Sequence, residues 1–251
     1  MHRFYIREPL CAPGTAVTLP PEESAHAARV LRLQHGQEVR LLDGENLWAG
    51  VMETVDEKAS TVRVQFACES PEAPCRAVLF QGLPKADKLE WIVQKGTELG
   101  MNALWPVEME RSVARMDKAG RDEKKRERLS RIALEAAKQS GRACVPQVAS
   151  AMPFAKALKS AEEAGFDLIL VAWEEEHALP LSRAVTNHIA SHGMPASVLL
   201  VIGPEGGISR EEWEALHSLG AVSVTLGKRI LRTETAGLCA LSVLWSALGE
   251  M

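Results

Sequence analysis

The sequence predicts an α/β protein in which a parallel-sheet domain follows a smaller, mostly β domain. Three observations carry this expectation. Ser197 to Ile202 is an unbroken apolar, β-branched run, the pattern of a strand covered on both faces in a parallel sheet. After Ser70–Pro74, strand-like and helix-like segments alternate, as they do in α/β folds. Before it, short strand-like segments accompany one helix.

In the first part, His2 to Ile6, Ala16 to Leu19, Val39 to Leu42, Leu47 to Val55 and Thr61 to Ala67 read as strands, with Asp43-Gly44 as a hairpin signal. Pro21 to Leu33 reads as a helix, with proline at its start and acids in its first turn. Short strands with a single helix point to a small barrel. Ser-Pro-Glu-Ala-Pro, residues 70–74, is the linker, so the domains expected are 1–72 and 73–251.

In the second part, Val78 to Leu83 is a strand, Asp87 is placed to cap a helix ending before Gly100, and Ala103 to Val107 is a strand. A highly charged, mixed-sign region runs from Arg111 to Arg131 and reads as solvated helix and loop. Helices are expected over Asp122 to Ser140, Pro153 to Ala164 and Leu181 to Ala190, with a strand from Asp167 to Trp173. Gly203-Pro204-Glu205-Gly206-Gly207 ends the Ser197–Ile202 strand with backbone able to bend sharply. Ser209 with Glu212 three residues on is a capping-box signature, Trp213, Leu216 and Leu219 give the ensuing helix one apolar face, and Gly220 stops it. Val222 to Leu226 is a further strand, and Gly227 to Arg232 the loop after it. Thr233 is placed to cap a last helix, Glu234 to Leu248, apolar over most of its circumference. Ligands of open parallel sheets bind at the carboxyl ends of strands, so two glycine-bearing loops after neighbouring strands mark one pocket. Glycine at 203, 206, 207 and 227 is then expected where side chains would hold a ligand away.

Composition narrows the class. At 251 residues, 46% hydrophobic and 25% charged, the chain has the make-up of a soluble globular protein. A net charge of −4 argues against indiscriminate coating of nucleic acid, so any such contact must come from local basic patches. Residues 1–72 carry 7 basic and 11 acidic residues, yet Arg3, Arg7, Arg29 and Arg32 are candidates to gather on one side. Cys11, Cys68, Cys75, Cys144 and Cys239 form no Cys-x-x-Cys pair, which points away from disulfides and zinc and toward a reducing cytoplasm. His188 and His192 lack the glutamate of a zincin motif and read as exposed helix histidines; no metal is expected. No signal peptide or membrane span is expected.

Val198-Leu-Leu-Val-Ile-Gly-Pro-Glu-Gly-Gly207 followed by Leu226-Gly-Lys-Arg-Ile-Leu-Arg-Thr-Glu-Thr-Ala236 resembles the SPOUT class of RNA methyltransferases, and most closely the ribosomal RNA small subunit methyltransferase E family. The helix string Lys85-Ala-Asp-Lys-Leu-Glu-Trp-Ile-Val-Gln-Lys-Gly-Thr-Glu-Leu-Gly100 and Glu135 to Arg142 match the same family, and His26…Val30-Leu31-Arg32 with Gly36 resembles its PUA-like RNA-binding domain. The resemblance implies a SPOUT-type parallel sheet with a C-terminal trefoil knot behind a PUA-like β-barrel. It implies S-adenosyl-L-methionine held by Trp173, Glu174, Ile202, Gly203, Pro204, Glu205, Gly206, Gly207, Leu226, Gly227, Ile230, Leu231, Thr235 and Ala236. It implies a homodimer with the knotted C-terminal regions packed together, with which the apolar last helix is consistent, intrachain core being the other reading of those residues. It implies as substrate 16S rRNA or the small ribosomal subunit, methylated at N3 of a uridine. Arg3, Arg7, His26, Arg29, Arg32, Lys88 and Lys95 are the candidate RNA contacts.

Uracil N3 carries a proton and becomes nucleophilic only once it is lost, so a base or a cation stabilising the ring anion is needed. Arg232 and Glu234 beside the cofactor loop are the candidate catalytic residues; Glu234 either accepts the proton or orients Arg232, and an acid in the first turn also favours the helix dipole. Two other readings compete: a ribose 2′-O-methyltransferase of the same fold, and a non-catalytic RNA-binding assembly factor. A nicotinamide oxidoreductase is disfavoured, because no Gly-x-Gly-x-x-Gly follows the first strand of the α/β part.

Overall fold

The computed structural model describes residues 1–6, 12–85, 87–116 and 119–251. They divide into two compact units, Met1–Glu72 with Leu134–Val145, and Ala73–Ala133 with Pro146–Met251. Arg7 and Cys11 lie outside the described residues.

The first unit contains the five expected strands, β1 (His2–Tyr5), β2 (Ala16–Thr18), β3 (Glu38–Leu42), β4 (Leu47–Thr54) and β5 (Thr61–Ala67). They form one sheet in the order β1-β3-β4-β5-β2, with β1 parallel to β3 and the other pairs antiparallel. The β3–β4 turn is tied by Asp43, whose carboxylate accepts from the Asn46 N–H at 2.6 Å and from Trp48 Nε1 at 2.7 Å. Phe4, Leu41, Met52 and Val62 are fully buried and form the core with Leu19, Ala27 and Val64. The single helix expected over Pro21 to Leu33 is corrected. An α-helix, α1 (Pro21–Ala25), gives way to one π-helical segment, His26–Val30. The Leu31 N–H then bonds the His26 carbonyl, and Arg32 takes a left-handed φ of 50°. Side-chain periodicity is blind to such an inserted residue.

Residues 134–145 join this unit through charge. A long helix, α3 (Ala119–Ser140), begins within the charged region and ends here. Arg3 Nη1 donates to the Lys138 and Gln139 carbonyls, each at 3.1 Å, satisfying acceptors that a helix C-terminus leaves open. Gly141 follows with φ +82°, and a Cβ there would lie 2.7 Å from Arg3 Nη2. Lys138 Nζ meets Glu23 at 2.8 Å with both side chains about nine-tenths buried. Glu72, inside the presumed linker, pairs with Arg142 and accepts from the Ala143 N–H at 2.9 Å. Buried charges persist only when paired in this way.

The second unit is a parallel sheet of β6 (Arg76–Gly82), β7 (Ala103–Glu108), β8 (Gln147–Val148), β9 (Met152–Pro153), β10 (Leu168–Ala172), β11 (Ser197–Ile202) and β12 (Val222–Val224). The order is β12-β10-β11-β6-β7-β8, with β9 also on β7. β8 and β9, two residues each, are too short to leave a period in the sequence and were not expected. β12 stops at Val224 rather than Leu226, and β10 stands between it and β11, so the two glycine loops do not follow adjacent strands. Side chains alternate across the sheet: Val78 and Phe80 pack with Ala157, Ala161 and Leu216 from α4 (Phe154–Ala164) and α6 (Arg210–Ser218). Leu79 and Gln81 approach Gly237 of α7 (Thr233–Leu248) from the other face. That last helix also packs on α2 (Lys88–Glu98) and α5 (Leu181–His192), and buries Ala240, Leu241, Leu244, Trp245 and Leu248.

Cap residues need two corrections. Asp87 is the N-cap of α2 but makes no side-chain capping bond. Thr233 is the first residue of α7, its N-cap being Arg232, and its hydroxyl points elsewhere. The Ser209–Glu212 capping box does form, and Glu212, only 6% exposed, also accepts from the Glu110 N–H at 2.8 Å. Removing the Ser209 hydroxyl (Ser209→Ala) should cost ~1 kcal/mol. Glu212→Ala orphans two backbone donors and should cost more, ~2–4 kcal/mol. Denaturant unfolding of the two variants checks the ranking, and equal losses would contradict it.

Candidate active site

The carboxyl ends of β10, β11 and β12 converge on one cleft of about 590 Å³. A parallel sheet puts all such ends on one edge, which is why loops distant in sequence meet there. The loop after β10 brings Trp173, Glu174, Glu176 and His177; that after β11 brings Gly203, Pro204, Glu205, Gly206 and Gly207; that after β12 brings Thr225 through Arg232, with Thr233 and Ala236 of α7. Every cofactor candidate named from the sequence lines the cleft except Thr235, which is exposed in the first turn of α7. Glu176, His177, Thr225 and Thr233 were not anticipated. The first two simply extend the loop after β10, a signal available once Trp173 is placed at that edge.

The glycines hold their places for different reasons than expected. A Cβ on Gly206 would fall 2.7 Å from the Arg111 carbonyl oxygen, and one on Gly203 2.8 Å from Ile208 Cγ1. On Gly207 it would strike the Glu174 carboxylate, and on Gly82, in β6, the Pro204 nitrogen. These glycines let protein approach protein. Gly227 alone of the four expected positions combines a left-handed φ of +116° with open space where a Cβ would stand.

Charge in the cleft is organised by Lys88. Its ammonium lies 2.8 Å from Glu205 Oε1 and 3.0 Å from Glu234 Oε2, while Glu205 also accepts from the Lys85 N–H at 3.1 Å. Burial pushes the Glu205 carboxyl up, but hydrogen bonds from Lys88, from Lys85 and from its own N–H outweigh it and hold the pKa below the usual glutamate value. Glu234 behaves alike: burial raises it, and its own backbone N–H and Lys88 bring it below the usual value. Lys88, expected at RNA, thus lines the cleft as a strut between the loop after β11 and the first turn of α7. Lys95 pairs with Glu98 and lies 5.4 Å over the Trp91 ring. In the first unit, Arg3 is committed to the end of α3, Arg29 pairs with Glu57, His26 packs edge-on to Phe4 at 6.5 Å, and Arg32 is exposed. Arg232 is exposed at the mouth of the cleft.

Trp173 stacks on Trp213 at 4.7 Å, and Trp213 on His217 at 5.1 Å, a column running from the cleft wall outward. Trp213 Nε1 donates to Ser223 Oγ at 2.6 Å, whereas Trp173 Nε1 is buried with no hydrogen-bond partner among the described residues. Apolar lining from Ala172, Ile202, Val224, Leu226 and Leu231 faces the carboxylates Glu174, Glu176 and Glu205. That mixture suits a ligand with a flat ring and a cationic centre, and the volume is that of a small-molecule site. Among the described residues, no group of three or more His, Cys, Asp or Glu is placed to hold a metal, and no helix is long and apolar enough to cross a membrane. His188 and His192 stack on each other at 4.8 Å on α5.

Comparison with known proteins agrees with this geometry. Residues 71–245 match the family model described as RNA methyltransferase domain, and residues 19–65 that described as RNA methyltransferase PUA domain. The chain is 39% identical over 235 residues to Ribosomal RNA small subunit methyltransferase E of Bacillus subtilis, covering 93% of this chain and 90% of that protein. A Mycobacterium tuberculosis protein of the same name is 33% identical over 241 residues, 95% of this chain and 88% of that one. Among solved structures, the Neisseria gonorrhoeae ribosomal RNA small subunit methyltransferase E bound to S-adenosyl methionine superposes with a TM-score of 0.83 at 28% identity, covering 98% of this chain and 97% of that one. A putative methyltransferase of Legionella pneumophila in complex with the same cofactor gives 0.80 at 31%, with the same coverage. With its parallel sheet, its N-terminal PUA-type domain and these relatives along nearly its whole length, the chain belongs to the ribosomal RNA small subunit methyltransferase E family.

Proposed function

We propose that the protein transfers the methyl group of S-adenosylmethionine to N3 of a uridine in the 16S rRNA of the small ribosomal subunit. The observation that carries this reading is the convergence of three strand-end loops on one cleft, with Arg232 at its mouth, in a chain of this family. When bound, the cofactor supplies an activated methyl group on a sulfonium. The chain's own task is to align the acceptor nitrogen, exclude water and stabilise charge on the ring. The cofactor is assigned to the loops after β10, β11 and β12, with Trp173 in the cleft wall and Glu174, Glu176 and Glu205 as counter-charges. Arg232, exposed beside this cleft, is assigned to the uracil as it loses its N3 proton. Glu234 is ionised at neutral pH, and its pairing with Lys88 lowers its basicity. This favours a role in orienting charge over that of the base.

The remaining assignments follow from the same reading. The first unit binds RNA, with Arg29, Arg32 and His26 as the candidates and Arg32 the most available. The chain pairs as a homodimer through α7, on which Leu238, Val243 and Ala247 remain half-buried between the buried positions. The trefoil knot involves the segment from β12 into α7. Its support is the family and the return of Thr233 to the end of β11. A ribosomal RNA substrate is the support for a cytoplasmic location.

Three outcomes check this reading. Incubation with labelled S-adenosylmethionine and small subunits from a strain lacking the enzyme should place label in 3-methyluridine on nucleoside mass spectrometry. Label on a ribose would make it a 2′-O-methyltransferase, and no label together with no cofactor binding would make it an RNA-binding assembly factor. Arg232→Ala should lower turnover ~10²–10³-fold with cofactor affinity retained; normal turnover would refute its role. Gly227→Val places a branched side chain in open space at a left-handed φ, and should weaken cofactor binding at least ~10-fold by calorimetry, the equivalent of ~1.4 kcal/mol. Unchanged affinity would remove that loop from the site.

A further inference from the structure

Gln81 is wholly buried at the carboxyl end of β6, on the face turned toward α7. Its Nε2 donates to the Gly82 carbonyl at 3.1 Å and to Thr233 Oγ1 at 2.7 Å. Thr233 passes its single hydroxyl proton on to the Gly203 carbonyl at 2.6 Å. Since a carbonyl and a hydroxyl with a committed proton can only accept, the Gln81 amide has one orientation that satisfies them. The other end of that amide, Oε1, is buried with no hydrogen-bond partner among the described residues. An orphaned buried acceptor is unfavourable, and an apolar residue would avoid it, so burial alone does not account for a glutamine here.

The geometry points to Gln81 and Thr233 as positioning residues for methyl transfer, a proposal that rests on the roles given above to Arg232 and the cleft. α7 has no side-chain cap at its N-terminus. What holds its first residue is this relay, which runs from β6 through Thr233 to Gly203, the first residue of the loop after β11. Arg232 precedes Thr233 in extended conformation, with ψ 151°, and Glu234 follows it. Fixing Thr233 therefore fixes the direction in which Arg232 leaves the helix and the reach of Glu234 to Lys88. The relay joins the loop assigned to the cofactor to the residues assigned to the acceptor base. Gln81 and Thr233 act on the reaction through Arg232 and do not themselves touch the transferred group.

The test uses the full chain with small subunits and S-adenosylmethionine, reading single-turnover methyl transfer and, separately, cofactor affinity by calorimetry. Thr233→Val keeps the shape and removes the relay. It should slow transfer ~10–100-fold, the loss expected from a displacement of about 1 Å. Cofactor affinity should fall much less than the rate, and Thr233→Ser should recover most of the rate. Gln81→Leu leaves the Thr233–Gly203 bond in place and should show a smaller loss of the same kind, which keeps the test decisive if Thr233→Val folds poorly. In an Arg232→Ala background, Thr233→Val should add little, because both act on one step. Full rate in Thr233→Val beside an impaired Arg232→Ala overturns the relay alone. Additive losses, or affinity falling in step with rate, reduce it to scaffold. Full rate in Arg232→Ala overturns the role of Arg232 and the relay with it.

Discussion

A parallel sheet must leave the hydrogen-bonding groups at its strand ends to water or find them partners, and in the second unit much follows from how this is met at β6, β11 and α7. Gln81, Thr233 and Gly203 are hydrogen-bonded in series across three segments. Once they do so, α7 starts beside the strand ends and covers the sheet face on which Leu79 and Gln81 lie. The cleft is then bounded on one side by strand-end loops and on another by the start of a helix. Neither boundary is independent of the other.

Electrostatics works within that frame. Lys88 stands between Glu205 and Glu234, and so links the loop after β11 to α7 a second time, by charge instead of by neutral hydrogen bonds. Both carboxylates stay ionised because the favourable contacts exceed the cost of their partial burial. The cleft thus keeps ionised acidic groups in its lining while Arg232 stays exposed. A site for a sulfonium cofactor and an RNA substrate needs both signs near each other without mutual cancellation.

Much of this was legible in the sequence where the signal was local or periodic. The Ser197–Ile202 run gave a buried parallel strand, and the Ser209–Glu212 spacing gave a capping box with both of its bonds. What escaped was long-range. No local pattern places β10 between β11 and β12, and none directs the Thr233 hydroxyl to Gly203 instead of to its own helix. The glycines of 203–207 were read as room for a ligand, whereas most of that room is taken by Arg111, Ile208 and Glu174. Lys88 was read as an RNA contact, and no local pattern showed its carboxylate partners, which lie more than a hundred residues away. The π-helical segment was missed since one inserted residue shifts the helical phase without changing composition.

The pairing of Glu23 with Lys138 and of Glu72 with Arg142 bears on how the chain is made. The first unit is discontinuous in sequence: its sheet ends at Ala67, yet the cations that neutralise two of its buried acids arrive some seventy residues later. During synthesis, the β-sheet emerges from the ribosome before those partners exist, and the unit lacks part of its contacts until residues 134–145 have followed. A cut at the linker would likewise leave a fragment ending at Glu72 with two acids stripped of their cations. The boundary drawn by composition at Ser70–Pro74 marks a change of architecture, and the unit before it takes in residues 134–145 as well.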